Sequence, residues 1–310
     1  MRITGRLAAA LALTALALGP LWACHGKRGA MAPSELEALE QFRAQRLERL
    51  TAPDGWLSLI GLHWLTPGRQ TFGSGRGCDI VLPDPAVPEV AGSLELTDEG
   101  RVLLRAGVPE AVTVNGIHVA TATLTDDGTG NPDIVRTGRI QFYVIRRGDR
   151  LGVRIKDPES PARKTFKGLA WYPPDARYRV VARLEPFPRP RIVRVATKIG
   201  TPAEFTAPGT LRFTLEGRTL SLLPLVEGPD SRELFIVFRD ATSGKTTYGA
   251  GRFLDAHLED DGTAILDFNR AVNPPCAFTP YATCPLAPPE NDLPVPIPAG
   301  EKLPPGHHGH

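Results

Sequence analysis

The stretch Gln141-Phe-Tyr-Val-Ile-Arg-Arg-Gly-Asp-Arg-Leu-Gly-Val-Arg-Ile155 holds two apolar runs of strand length on either side of Gly148-Asp149. Branched and aromatic side chains suit a pleated, half-buried surface, and a glycine between two such runs supplies the backbone freedom of a hairpin turn. The same text recurs in residues 95–104 around Gly100 and in residues 212–222 around Gly217, and Ala264-Ile-Leu-Asp-Phe-Asn269 follows the Asp261-Gly262 turn. Residues 234–238 are a continuous apolar run and read as a strand buried on both faces. Helical spacing occurs in one long segment: Ser34 and Glu37 read as a capping box, and Leu36, Leu39, Phe42, Leu47 and Leu50 fall largely on one face. A further helical turn is expected within residues 158–168. The fold class is therefore mainly β, with sandwich or barrel packing: a β-sandwich followed by a second, barrel-like antiparallel β domain. The proline-rich residues 182–190 read as the seam between them.

Outward from this body, the N-terminus reads as an address. Arg2 and Arg6 precede an unbroken Ala/Leu/Thr run over residues 7–18, too short to span a bilayer and suited to a secretory signal. Leu21-Trp-Ala-Cys24 resembles a bacterial lipobox, with Trp22 where a small residue is usual, so Cys24 is the expected site of lipidation. An ordinary signal peptide with an incidental cysteine is the alternative. His25 in place of Asp resembles the default sorting of lipoproteins to the periplasmic face of the outer membrane, and multiple acyl chains would hold the chain there firmly. The organisation expected is a signal peptide over 1–23, a linker and helix over 24–53, β domains over 54–185 and 186–305, and a tail over 306–310. With 36 basic against 34 acidic residues and a net charge of +2, no track for a phosphate backbone exists, and nucleic acid is excluded as a partner. No phosphate-binding glycine motif occurs either.

Residues 269–291 stand apart. Eleven of the 31 prolines lie between Asn273 and Pro305, which forbids helix and ladder-paired strand alike. Yet Cys276, Phe278, Tyr281, Cys284 and Leu286 are residues that favour burial, so the segment is expected as an ordered coil laid over the second β domain. Cys276 and Cys284 either pair as a disulfide, closing a loop of about nine residues worth roughly 2.5 kcal/mol, or remain two small buried thiols. Cys78 reads as a core thiol.

Asp54-Gly-Trp-Leu-Ser-Leu-Ile-Gly-Leu-His-Trp-Leu65, Asp157-Pro-Glu-Ser-Pro-Ala-Arg163 with Phe166-Lys-Gly168, Thr247-Tyr248 with Gly251-Arg-Phe-Leu254, and Asp267-Phe-Asn269 through Asn291 together resemble a bacterial and archaeal family known only as a domain of unknown function, numbered sixteen eighty-four. The resemblance implies that the coil belongs to the domain; it implies no activity. Thr71-Phe-Gly-Ser74, Asp79-Ile-Val-Leu-Pro83, Gly92-Ser-Leu-Glu-Leu96, Arg101-Val-Leu-Leu104 and Val112-Thr-Val-Asn-Gly116 are similar in layout to a forkhead-associated β-sandwich. Ser74 stands where those domains place a phosphate-binding Arg, and residues 88–92 lack their Ser and His, so phosphothreonine reading is expected to be lost.

Strand alternation places Tyr248 with Arg252 and Asp267 with Asn269, and these with Asn273, Tyr281, Glu290 and Asn291 could line a polar ligand pocket with Arg252 as the anion clamp. Against this, Arg252 and Asp267 could pair internally while the asparagines satisfy backbone left unpaired by the prolines. His63, His118 and His257 share no ligand spacing, no metal signature occurs, the cofactor is left open, and residues 126–133 read as a hairpin turn. The leading expectation is an exported lipoprotein that binds a small polar or envelope-derived ligand in its second β domain. The alternatives are a hydrolase or transferase using Cys276, Cys284 or an Asp267/Glu290 carboxylate pair, and a purely structural envelope interaction protein.

Overall fold

The computed structural model describes residues 29–228 and 231–304. The expected signal, Cys24 and the tail lie outside the described residues. In chain order the elements are α1 (Pro33–Thr51), β1 (Leu59–Trp64), β2 (Gly68–Gly73), β3 (Ile80–Val81), β4 (Gly92–Leu96), β5 (Val102–Ala106), β6 (Thr113–Val114), β7 (Ile117–His118), β8 (Thr121–Leu124), β9 (Val135–Thr137), β10 (Ile140–Arg147), β11 (Arg150–Lys156), α2 (Pro161–Thr165), β12 (Arg179–Val195), β13 (Ala203–Leu215), β14 (Arg218–Leu222), β15 (Glu233–Phe238), β16 (Arg252–His257) and β17 (Thr263–Asp267). Among the described residues no helix is long and apolar enough to cross a membrane.

The hairpins fall where glycine marked them. Gly100, Gly148 and Gly217 all take positive φ, and Glu216 joins Gly217 in the left-handed region to make the two-residue turn from β13 to β14. Strands β1 to β11 build two sheets, ordered β1-β11-β10-β9-β6-β7 and β3-β2-β4-β5-β8. They share one apolar core, in which Phe72 of β2 meets Phe142 of β10 edge to face at 5.2 Å. This is the first half, a sandwich of antiparallel ladders apart from the short parallel β2–β3 pairing.

The second half is built from the sheet β14-β13-β12-β17 and the separate pair β15-β16. No ladder joins the two among the described residues, so the expected barrel does not close. The expected boundary at residue 185 also falls inside β12, whose pairing with β17 begins at Arg179; the change of sheet lies between β11 and β12. The prolines at 186, 188 and 190 are carried by β12 itself, where the ladder to β13 slips its register between Pro186 and Arg191. In β15, Leu234, Ile236, Val237 and Phe238 are buried, but Glu233 and the half-buried Phe235 emerge on the outer face, so this strand is not covered on both sides.

Helix α1 starts one residue before the expected cap. Pro33 opens it, where a missing N–H costs nothing, and Glu35 accepts from the Ala32 amide at 3.2 Å. Leu36 and Leu47 are exposed; the docked face is Leu39 and Leu50 with Phe42, Arg43 and Arg46. Arg43 donates to the Tyr172 carbonyl at 3.0 Å and lies over Trp171, while Arg46 pairs with buried Glu301 at 2.9 Å and donates to the Asn273 carbonyl at 2.8 Å.

The proline-rich coil is ordered and forms part of the core. In residues 293–299, Leu293, Val295, Ile297 and Ala299 point into the same cluster as Phe213, Phe238 and Phe268, while Pro294 and Pro296 face outward. Prolines here remove donors that a strand would waste on the solvent side, and the inward residues keep the period of two.

Candidate functional site

The eight polar residues expected to converge are divided among separate roles in the fold. Arg252 sits on the inner face of β16 with Leu254 and Ala256, and its side chain is fully buried. It pairs with Asp240 at 2.5 Å and donates to the carbonyls of Ile297, at 3.0 Å, and Ala299. The partner is thus Asp240, not Asp267. Asp267 caps the turn Phe268–Arg270 by accepting from the Asn269 amide, and Asn269 closes both backbone groups of Asp175 at 3.0 and 2.9 Å. Asn273 donates its amide to Glu301 and its side chain to the Lys302 carbonyl, both at 2.7 Å. Asn291 accepts from the Leu223 amide at 2.6 Å and donates to the carbonyls of Leu223 and Val237. Tyr248 donates to the Cys276 carbonyl at 3.0 Å. Glu290 and Tyr281 are exposed, so the Asp267/Glu290 pair is not assembled: Asp267 lines a groove to which Glu290 does not contribute. Buried polar groups need partners, and the asparagines supply them to backbone that the prolines leave without a ladder.

An open concavity lies on the outer face of β15 and β16. One cavity of about 490 Å³ is walled by α1 and β17 and lined by Glu35, Glu233, Asp255, Glu259 and Asp267, with Arg179 and Arg270. A second, of about 540 Å³, is lined by Phe205, Leu225, Val226, Leu234 and Phe235 with Glu227, Glu233 and Asp255. Glu233 and Asp255 belong to both. Alternation puts them there: Phe235 stands opposite Asp255 and Glu233 opposite His257 on the outward side of the ladder. Arg179 is held by Glu35 at 3.4 Å and His257 by Glu233 at 2.6 Å. Asp255 makes no hydrogen bond or ion pair among the described residues. Its side chain is exposed, and its pKa is raised first by partial desolvation in the groove and then by the charge of Glu233, against the opposing charge of Arg49. Phe205, Phe235 and Phe253 run beside it, with ring centroids 6.3 and 4.8 Å apart.

A third set of groups gathers where the coil touches both halves. Cys276 and Cys284 are buried free thiols, not joined by a disulfide, beside Tyr248, Trp56 and Phe278. Cys276 is lowered to about 7, chiefly by its hydrogen bond with Cys284 and further by Tyr248 and the charge of Lys198. The Cys284 thiol and the Tyr248 phenol are both pushed up, the first mainly by that shared hydrogen bond and the second mainly by burial. The sequence offered no cation for these thiols, because Lys198 reaches them only through the long β12–β13 hairpin.

The remaining candidates are structural. Ser74 donates its hydroxyl to the Val87 carbonyl at 2.7 Å, the thiol of Cys78 points to the Glu89 carbonyl, and His63 bonds Gln70 at 2.7 Å. Asp126 and Asp127 hold Arg146 and Arg147. No group of three His, Cys, Asp or Glu among the described residues is placed to hold a metal ion.

Solved structures similar to the chain include an uncharacterised protein of Haloarcula marismortui, 33% identical, covering 49% of this chain and 85% of that one with a TM-score of 0.41. They also include the FHA-2 domain of an ABC transporter of Mycobacterium tuberculosis, 27% identical over 29% of this chain and 77% of that one, TM-score 0.23. The N-terminal FHA domain of S. cerevisiae Rad53p, solved with a phosphothreonine peptide, is 18% identical over 32% of this chain and 70% of that one, TM-score 0.19. No curated protein matches. A family model described as protein of unknown function (DUF1684) matches residues 164–302, the second half and its coil, and leaves the resembling segments at 54–65 and 157–163 outside it or at its edge. Residues 164–302 are thus similar to the family of proteins of unknown function DUF1684.

Proposed function

We propose that the protein is a binding protein whose groove across β15 and β16 takes a ligand joining a cationic group to an apolar body. The observation that carries this reading is Asp255: an exposed carboxylate with no hydrogen bond or ion pair among the described residues, at the waist shared by two cavities of ligand size. On one side of it lie half-buried phenylalanines, whose faces attract cations; on the other lie four further carboxylates against two arginines, one of which, Arg179, is already paired. An anion would meet repulsion there, and a purely apolar molecule would leave Asp255 unpaired. The sequence reading of the N-terminus adds the setting we propose for it, a lipid anchor at Cys24 on the periplasmic face of the outer membrane.

Calorimetry with benzyltrimethylammonium, set against benzyl alcohol and benzoate, tests the groove. The cation is expected to bind and the other two not. Asp255→Asn and Glu233→Gln are each expected to weaken binding about tenfold, equivalent to ~1.4 kcal/mol. Equal affinity for all three probes, or cation binding indifferent to both substitutions, overturns the reading. Incorporation of labelled palmitate in a bacterial host, lost in Cys24→Ser, tests the anchor.

A further inference from the structure

The loop from Cys276 to Cys284 bonds both the sandwich and the second half. Thr279 donates to the Leu59 carbonyl at 3.4 Å, and the Thr283 hydroxyl accepts from Arg147 at 3.0 Å and Arg154 at 3.3 Å. On the other side the Cys284 carbonyl accepts from the Lys198 amide at 3.0 Å, and the Leu286 amide donates to the Ala196 carbonyl at 2.8 Å. Within this loop the Cys276 amide points at the Cys284 sulfur at 3.3 Å, and the thiols are 8% and 6% exposed.

Arg154 supplies the second observation. It is 3% exposed, stacks on Trp56 at 5.0 Å and donates to the Tyr143 hydroxyl at 3.1 Å, yet it has no carboxylate partner among the described residues and its Nε makes no hydrogen bond. A buried guanidinium is ordinarily compensated by an anion. Its charge favours the ionised form of Cys284, as that of Lys198 favours the ionised form of Cys276. Two adjacent buried thiols that feel the charges of two cations are suited to hold a thiolate beside a second thiol that resolves it.

We infer that Cys276 and Cys284 form a reversible dithiol–disulfide couple, oxidised by small hydroperoxides, that locks the loop across the junction of the two halves. The Cys276 thiolate attacks one oxygen of hydrogen peroxide, the O–O bond breaks, hydroxide leaves, and Cys276 becomes a sulfenic acid. The Cys284 sulfur then attacks the Cys276 sulfur; the S–S bond forms, the S–O bond breaks, and the departing hydroxyl leaves as water with the Cys284 proton. Two electrons pass from the sulfurs to the peroxide. An external dithiol reverses the step by exchange.

The test treats the reduced full chain with one equivalent of hydrogen peroxide, alkylates it under denaturing conditions and maps the peptides. Loss of both alkylatable thiols in one peptide linking Cys276 to Cys284, with Cys78 still alkylated and full reversal by dithiothreitol, is expected. Cys284→Ser is expected to stop at a sulfenic acid on Cys276 that dimedone traps, and Lys198→Met, an exposed position, to move the pH midpoint of Cys276 alkylation above about 7. Retention of both thiols, a bond from either to Cys78 or to another chain, or an unmoved midpoint in Lys198→Met overturns the inference.

Discussion

Replacing Arg252 by alanine is expected to unfold the second half, and the magnitude follows from what the side chain holds. Arg252→Ala leaves Asp240, itself fully buried, without its cation, a loss of about 3–5 kcal/mol. It strips the carbonyls of Ile297 and Ala299 of their donor, at about 1 kcal/mol each. It also removes buried methylenes, at roughly 0.8 kcal/mol apiece. Together these approach ~7 kcal/mol, comparable with the whole stability of a domain, ~5–15 kcal/mol. Urea unfolding followed by tryptophan fluorescence measures it, read by linear extrapolation. A companion variant separates charge from volume. Arg252→Met with Asp240→Asn keeps the packing and removes both charges, while an asparagine oxygen still accepts from the amide and hydroxyl of Thr242, bonded to Asp240 at 2.6 and 2.5 Å in the parent. The pair is expected to be at least ~2 kcal/mol more stable than the sum of its single variants. A cost below about 2 kcal/mol for Arg252→Ala, or strict additivity in the cycle, would refute the assignment of Arg252 to the fold.

Three further outcomes are expected. Arg46→Ala strands the buried Glu301 carboxylate, whose pKa burial already raises; it should cost about 3 kcal/mol and speed amide exchange throughout α1, with Glu301→Gln recovering part of the loss, and unchanged exchange in α1 would contradict this. Asn291→Ala leaves one amide and two carbonyls unpaired, and a fall in stability of less than about 1 kcal/mol in urea would count against its role as a backbone cap. For Asp255 the folded pKa lies above the unfolded one, so the stabilising difference is present below the ordinary carboxylate range and is lost as pH rises through the folded value. Asp255→Asn should therefore be more stable than the parent at pH 7 by no more than about 0.5 kcal/mol, with the gain gone below pH ~4; a gain that persists in acid, or none at pH 7, speaks against the crowding of Asp255 by Glu233.

The hairpins were legible because their signal is local: a glycine in the turn and branched or aromatic residues on either side. The order of the coil was legible too, since Cys276, Phe278 and Leu286 among prolines demand a surface to bury against. What the sequence did not show is pairing at a distance. Asp240 is 12 residues from Arg252 and Glu301 is 255 from Arg46, and no local pattern distinguishes those partners from Asp267, which shared a plausible strand face. The alternation in residues 252–257 did contain the groove: Phe253, Asp255 and His257 point opposite Arg252, Leu254 and Ala256. That signal was overshadowed by the density of polar groups in the coil, which serve backbone that proline leaves unpaired. The failure to close a barrel was beyond reach as well, because residues 234–238 look alike whether they join a neighbouring ladder or stop at β16.

The central claim is that ligand capture belongs to the outer face of β15 and β16 while the coil serves the fold. Hydrogen–deuterium exchange with and without benzyltrimethylammonium separates the two directly. Slowed exchange confined to residues 205, 225–227, 231–235 and 253–259 is the predicted result, and protection centred on residues 269–291 with the groove unchanged would contradict it.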